Sequence, residues 1–145
     1  MSLAAVPDLN PDPRTLEINL DARVARVEIS PGRTVEAWTY NGTIPGPLIR
    51  VRVGDRLIVH FTNRLPQPTT VHWHGLRIPN PLDGVPDVSQ PEVKPGDSFT
   101  YDIVVPDAGL YWYHPHAHHY VDMQIGEGQA GAIVVRGGLD DVPGV

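Results

Sequence analysis

Cysteine is absent from the 145 residues. That removes disulfides, thiol nucleophiles and thiolate metal sites together. Positive charge is scarce as well: 11 Lys and Arg stand against 17 Asp and Glu, giving a formal charge of -6 and a pI near 5.5. With no basic stripe to neutralise phosphates, a nucleic-acid partner is not expected. No apolar run approaches the roughly 18 residues a bilayer-spanning helix needs, so no membrane segment is expected either. The opening Met1-Ser2-Leu3-Ala4-Ala5-Val6-Pro7 lacks a basic start followed by an apolar stretch, and no secretion signal is read there. Convincing amphipathic-helix periodicity is missing throughout.

What is present points to short strands and tight turns. The 14 Gly and 16 Pro are numerous for a helical protein and natural for an all-β one. Leu16, Ile18 and Leu20 alternate with polar residues, residues 48–53 continue the pattern, and Leu57, Val59 and Phe61 share one face of a further strand. Later strands are carried by Phe99, Tyr101 and Ile103, by residues 110–114 and by residues 130–135. Turn signals fall between them at Asn41-Gly42, Pro45-Gly46-Pro47, Gly54-Asp55, Asp83-Gly84 and Pro95-Gly96-Asp97. About seven or eight strands at this spacing predict a Greek-key β-sandwich or closed barrel; an immunoglobulin-like domain without its disulfide fits the bare pattern equally well. We expect an extended lead-in over residues 1–13, one domain over 14–136 and a linker-like stretch over 137–145. A chain of this length can bury roughly 70% of its unfolded surface, so no metal staple is needed to hold it folded.

Six of the seven histidines fall into two short clusters, His72-Trp73-His74 and His114-Pro115-His116-Ala117-His118-His119. In a strand, side chains two apart lie on one face. His72 and His74 therefore point one way while Val71 and Trp73 point into the core. Two such residues sit about 7 Å apart along the strand, which is wide for one ion with metal–nitrogen bonds of about 2 Å. The spacing suits two ions about 3.5–4 Å apart, each taking one histidine. The second cluster repeats the arrangement if its strand lies opposite the first, with four imidazoles facing across a gap. Neutral imidazoles without thiolate suit copper, zinc, nickel or iron. His60, alone in its strand, reads as a packing or hydrogen-bonding residue. His118 and His119 are adjacent and would face opposite ways, so neither is expected to be a primary ligand.

Several segments now combine into an ordered set: Tyr40-Asn41-Gly42 with Pro45-Gly46-Pro47, Val71-His72-Trp73-His74-Gly75-Leu76, Asp83-Gly84-Val85-Pro86, Pro95-Gly96-Asp97-Ser98-Phe99-Thr100-Tyr101, and Gly109-Leu110-Tyr111-Trp112-Tyr113-His114-Pro115-His116. From about residue 15 to residue 136 the chain resembles the N-terminal cupredoxin-like domain of multicopper oxidases, the family of laccases, bilirubin oxidases and copper-efflux oxidases. The stretch Gly126-Glu127-Gly128-Gln129-Ala130-Gly131 departs from the family's usual glycine-leucine turn, while Gln124 is shared.

The resemblance implies a cupredoxin-type sandwich and copper as cofactor, in type 2 and type 3 sites of a trinuclear cluster that reduces O2 to water. His72 is similar to the type 2 ligand. His74 and His114 resemble ligands sharing one type 3 copper, and His116 a ligand of the other. Asp83 matches an acidic residue implied to deliver protons, although an Asp-Gly pair also makes an ordinary turn. No counterpart of the family's His-Cys-His motif exists here, so no type 1 copper site is expected. The chain alone is then expected to be inactive and to need the remaining domains of the same oxidase, or other copies of itself in a homo-oligomer, with an electron donor bound elsewhere. The resemblance also implies a periplasmic or extracellular location. Two alternatives stay open: a small copper storage or delivery protein without catalysis, and an interaction module with a vestigial metal site. Histidine ligation of either kind should weaken below about pH 6.5, where free imidazole gains its proton.

Overall fold

Alternation in the chain builds two four-stranded sheets that share one core. Residues 6–141 are described by the structure, a computed structural model. Its strands are β1 (Thr15–Ser30), β2 (Arg33–Tyr40), β3 (Ile49–Arg52), β4 (Arg56–Asn63), β5 (His72–His74), β6 (Ser98–Val104), β7 (Gly109–His114) and β8 (Gly131–Arg136). One sheet runs β2-β1-β4-β6 and the other β3-β8-β7-β5. The β1–β4 and β3–β8 ladders are parallel and the rest antiparallel. Parallel neighbours cannot be joined by a hairpin, so the chain crosses between the sheets and closes a sandwich rather than a barrel. The all-β expectation holds.

Every second residue of the strands feeds the core. Ile18, Leu20, Leu57, Val59, Phe61, Tyr101 and Ile103 line it from the first sheet, and Ile49, Val51, Trp73, Tyr113, Ile133 and Val135 from the second. Trp73 packs edge-on to Tyr101 at 5.2 Å between ring centroids and lies 5.9 Å from Tyr113. Burial pushes the Tyr101 and Tyr113 hydroxyls far above the ordinary phenol range. Both remain protonated and useful as hydrogen-bonding groups: Tyr113 donates to the Pro47 carbonyl at 2.7 Å, and Tyr101 accepts from the Val71 N–H at 3.0 Å. The second bond crosses the sandwich and fixes the start of β5.

Two elements differ from the expectations. β2 joins the long β1 as an antiparallel partner although its own residues alternate weakly. A six-residue helix, α1 (Val121–Gly126), follows the second histidine cluster. It is too short to leave a helical period in the sequence, and only Gln124 on it is buried. Residues 1–5 of the expected lead-in and 142–145 of the linker-like end lie outside the described residues.

Candidate metal centre

The two histidine clusters meet because β5 and β7 are hydrogen-bonded neighbours. His72 stands directly opposite His114, Trp73 opposite Tyr113, and His74 opposite Trp112. Opposed residues of an antiparallel pair share a face, so His72, His74 and His114 lie on the outer face of the sheet, His114 buried there beneath its neighbours, while Trp73 and Tyr113 sink into the core. The imidazoles thus converge sideways within one sheet, where an arrangement across a gap was expected. Adjacent strands lie only about 4.8 Å apart, and this supplies the closeness that stacked sheets about 10 Å apart would not. Pro115, with no N–H to continue the ladder, ends β7. His116 reaches the group from the following loop, its ring 5.2 Å from that of His72 and 6.2 Å from that of His114.

His72 occupies the middle, with ring centroids 5.5 Å from His74 and 5.2 Å from His114. Ligand nitrogens of His72, His74 and His114 all fall within 4.8 Å of one another. His74 Nδ1 and His114 Nε2 are 3.2 Å apart, the separation of two nitrogens each about 2 Å from one ion. The other ring nitrogens complete the pattern. The Nδ1–H groups of His72 and His114 donate to the carbonyls of Asp83 (2.7 Å) and Pro115 (2.8 Å), leaving both Nε2 atoms as lone-pair donors to a metal, that of His114 meanwhile accepting from His74 Nδ1–H. Metal-ligating histidines use their outer nitrogen in this way. His116 Nδ1 is buried with no hydrogen-bond partner among the described residues, a cost that bonding to an ion removes. The donor set therefore fits a metal that accepts neutral imidazoles. Burial, reinforced by His72, His74 and His116 beside it and opposed by the Pro115 bond, pushes the His114 imidazole down to about 4.

Trp112 stacks on this group from the β7 side, 4.1 Å from His114 and 5.0 Å from His74. Below, the Asp83-Gly84 turn presses against β5. Gly84 has φ +76°, and a Cβ there would run into the Val71 carbonyl. The turn also receives the Thr70 hydroxyl, which donates to the Gly84 carbonyl at 2.6 Å. Gln124 on α1 holds the segment leading into β5, accepting from Thr69 Oγ1 at 2.9 Å and donating to the Pro68 carbonyl at 3.0 Å.

All four expected ligands are thus brought together, and Asp83 lies beside them with Oδ1 3.4 Å from His72 Nδ1. His60 lies on the other sheet, bonded to Glu17 at 2.7 Å and to Thr100 at 3.3 Å. His118 bonds the Pro86 carbonyl at 3.1 Å and stands 3.7 Å from Asp87; with His119 it lines a shallow surface depression apart from the group. Sequence reasoning missed Thr70, Trp112 and the docking role of Gly84. A glycine after Asp83 signals a turn, but nothing local tells where that turn will press.

Comparison with known proteins covers most of the chain. A multicopper oxidase family model matches residues 22–139. The multicopper oxidase MmcO of Mycobacterium tuberculosis is 48% identical over 103 residues, which are 71% of this chain and 20% of that protein. A solved multicopper oxidase from Pseudomonas thermotolerans is 46% identical with a TM-score of 0.79, covering 84% of this chain and 29% of that one. One from Campylobacter jejuni, described as a metallo-oxidase, is 33% identical with a TM-score of 0.86, covering 94% and 29%. The chain spans 14–20% of the length of the curated relatives it matches.

Proposed function

The chain belongs to the multicopper oxidase family, and we propose that its four clustered imidazoles supply half of a trinuclear copper centre. In this reading His74 and His114 hold one type 3 ion between them, His116 belongs to the second, and His72 to the type 2 ion. The observation that carries it is the 3.2 Å separation of His74 Nδ1 and His114 Nε2, with His72 within 5.5 Å of both rings. Copper bound there supplies the one-electron steps by which an oxidase reduces O2 to water.

The protein's own contribution is positional. The carbonyls of Asp83 and Pro115 set the tautomers of His72 and His114 before any ion arrives. Trp112 covers one side of the His74–His114 pair. Asp83, partly exposed and 3.4 Å from the His72 ring, is the residue we assign to proton delivery. No cysteine is available for a type 1 site, so electrons must arrive through another domain. We therefore take the chain as one part of a larger oxidase acting outside the cytoplasm, its partner the remaining domains of that protein or further copies of itself.

A second reading has its own support. Nitrogens of His72, His74 and His114 within 4.8 Å could serve a single ion, as in a copper storage or delivery protein. Titration of the metal-free chain with copper(II), followed by calorimetry and electron paramagnetic resonance, separates the two. The cluster reading expects more than one equivalent bound, with no phenol or ferrous-ion oxidation by the chain alone. One tight equivalent favours the second reading, and binding that survives replacement of all four histidines contradicts both.

A further inference from the structure

Thr70 lies two residues before the first ligand and is fully buried. Its hydroxyl has one proton to give and lone pairs to receive, and it uses both. It donates to the Gly84 carbonyl at 2.6 Å and accepts the backbone N–H of His116 at 3.3 Å. The two partners belong to separate parts of the chain, 14 residues after Thr70 and 46 residues after it. Each bears directly on an imidazole. The Gly84 side belongs to the turn whose Asp83 carbonyl takes the His72 Nδ1–H at 2.7 Å. The His116 side is the backbone of that residue, which stands beyond the last paired residue of β7 and has no ladder to hold it.

We propose that Thr70 is a positioning residue that ties His72 and His116 to one another through a single hydroxyl. The proposal rests on the copper reading above. Strand pairing places the backbones of His72, His74 and His114, with His72 directly opposite His114 and His74 opposite Trp112. His116 lies beyond the ladder, and its ring separation of 5.2 Å from His72 depends on where the 83–84 turn, whose Asp83 carbonyl takes the His72 Nδ1–H, and the loop after Pro115 come to rest. One buried hydroxyl bonds both segments, the turn and the loop. Valine has the shape of threonine without the hydroxyl. Thr70→Val would therefore leave a buried carbonyl and a partly buried N–H without this partner, and both segments would shift to find others.

Two measurements on Thr70→Val, Thr70→Ser and the unaltered chain test this. In the metal-free protein, nitrogen-15 NMR of the imidazoles should show the His72 and His116 ring signals displaced in the valine variant and restored in the serine variant. The His74 and His114 signals should hold still in both. Copper(II) affinity should fall by about 10- to 100-fold with valine, the loss typical of removing a group that orients a ligand, and recover with serine. Unmoved ring signals together with affinity within twofold of the unaltered chain would overturn the proposal. Displaced His72 and His116 signals in a protein that binds no copper at all would sustain the positioning role and sink the copper reading instead. Should the valine variant not fold, Thr70→Ala, which leaves space for a water, carries the same two readouts.

Discussion

His60 on β4 and the histidines of β5 and β7 occupy comparable places, each facing outward from one sheet of the same sandwich, yet they are in opposite chemical states. Both ring nitrogens of His60 are engaged, one by Glu17 and the other by Thr100. Its presence holds the Glu17 carboxyl below the usual range, with Asn10 assisting. On the second sheet the neighbours of each imidazole are other imidazoles, and the inward-facing nitrogens have no carboxylate to satisfy them. An outward histidine on a strand is therefore not a ligand by position. In the reading proposed above it becomes one where nearby strands and loops supply more imidazoles, whose nitrogens face one another.

The sharpest way to break this contrast is to remove one member of the close pair. His74→Ala should lower copper(II) affinity by more than about 100-fold, beyond the 10- to 100-fold typical of losing an outer partner, as read by calorimetric titration. Next comes the support. Gly84→Ala places a methyl against the Val71 carbonyl at a φ of +76°, so the turn must move and His72 loses its Asp83 partner. Copper affinity should drop by about 10- to 100-fold, with the displacement visible in the His72 ring resonances.

A smaller effect comes from pH. The folded-state value of His114, about 4, lies below the roughly 6.5 of an unfolded imidazole. Between those values the unfolded chain binds the more protons, so the stability due to a neutral His114 is fully present above pH 6.5. It is lost as pH falls towards 4. Urea midpoints of the metal-free chain should decline across that window, and His114→Gln should decline less. The smallest effect is expected at the control position: His60→Ala should leave copper affinity within twofold and shift the thermal midpoint only slightly, because the His60 side chain is itself 41% exposed and its pair with Glu17 is partly open to solvent.

Much of this was readable before any coordinates. The alternation of Leu16, Ile18 and Leu20, and of Leu57, Val59 and Phe61, marks strands whose inner faces carry Ile18, Leu20, Leu57, Val59 and Phe61 into the core. Val71-His72-Trp73-His74 states which side chains go in and which go out, and the structure has Val71 and Trp73 buried. What stayed hidden was non-local. The pairing of His72 with His114 depends on which strands become neighbours far apart in the chain, and no local period encodes that. Helix α1 has too few residues to show one, and β2, on the sheet edge, exposes residues on both faces at its start. Thr70 reads as one more polar residue before a strand until its two partners, far along the chain, are brought to it.

The central claim is that these imidazoles bind copper as a group, with His74 and His114 sharing an ion. Anomalous diffraction at the copper absorption edge from a copper-soaked crystal tests it most directly. The account predicts a peak about 2 Å from both His74 Nδ1 and His114 Nε2, with further signal at His72 and His116. Copper found only at His60 or His118, or rings turned apart and bonded to protein groups with no peak between them, would contradict it.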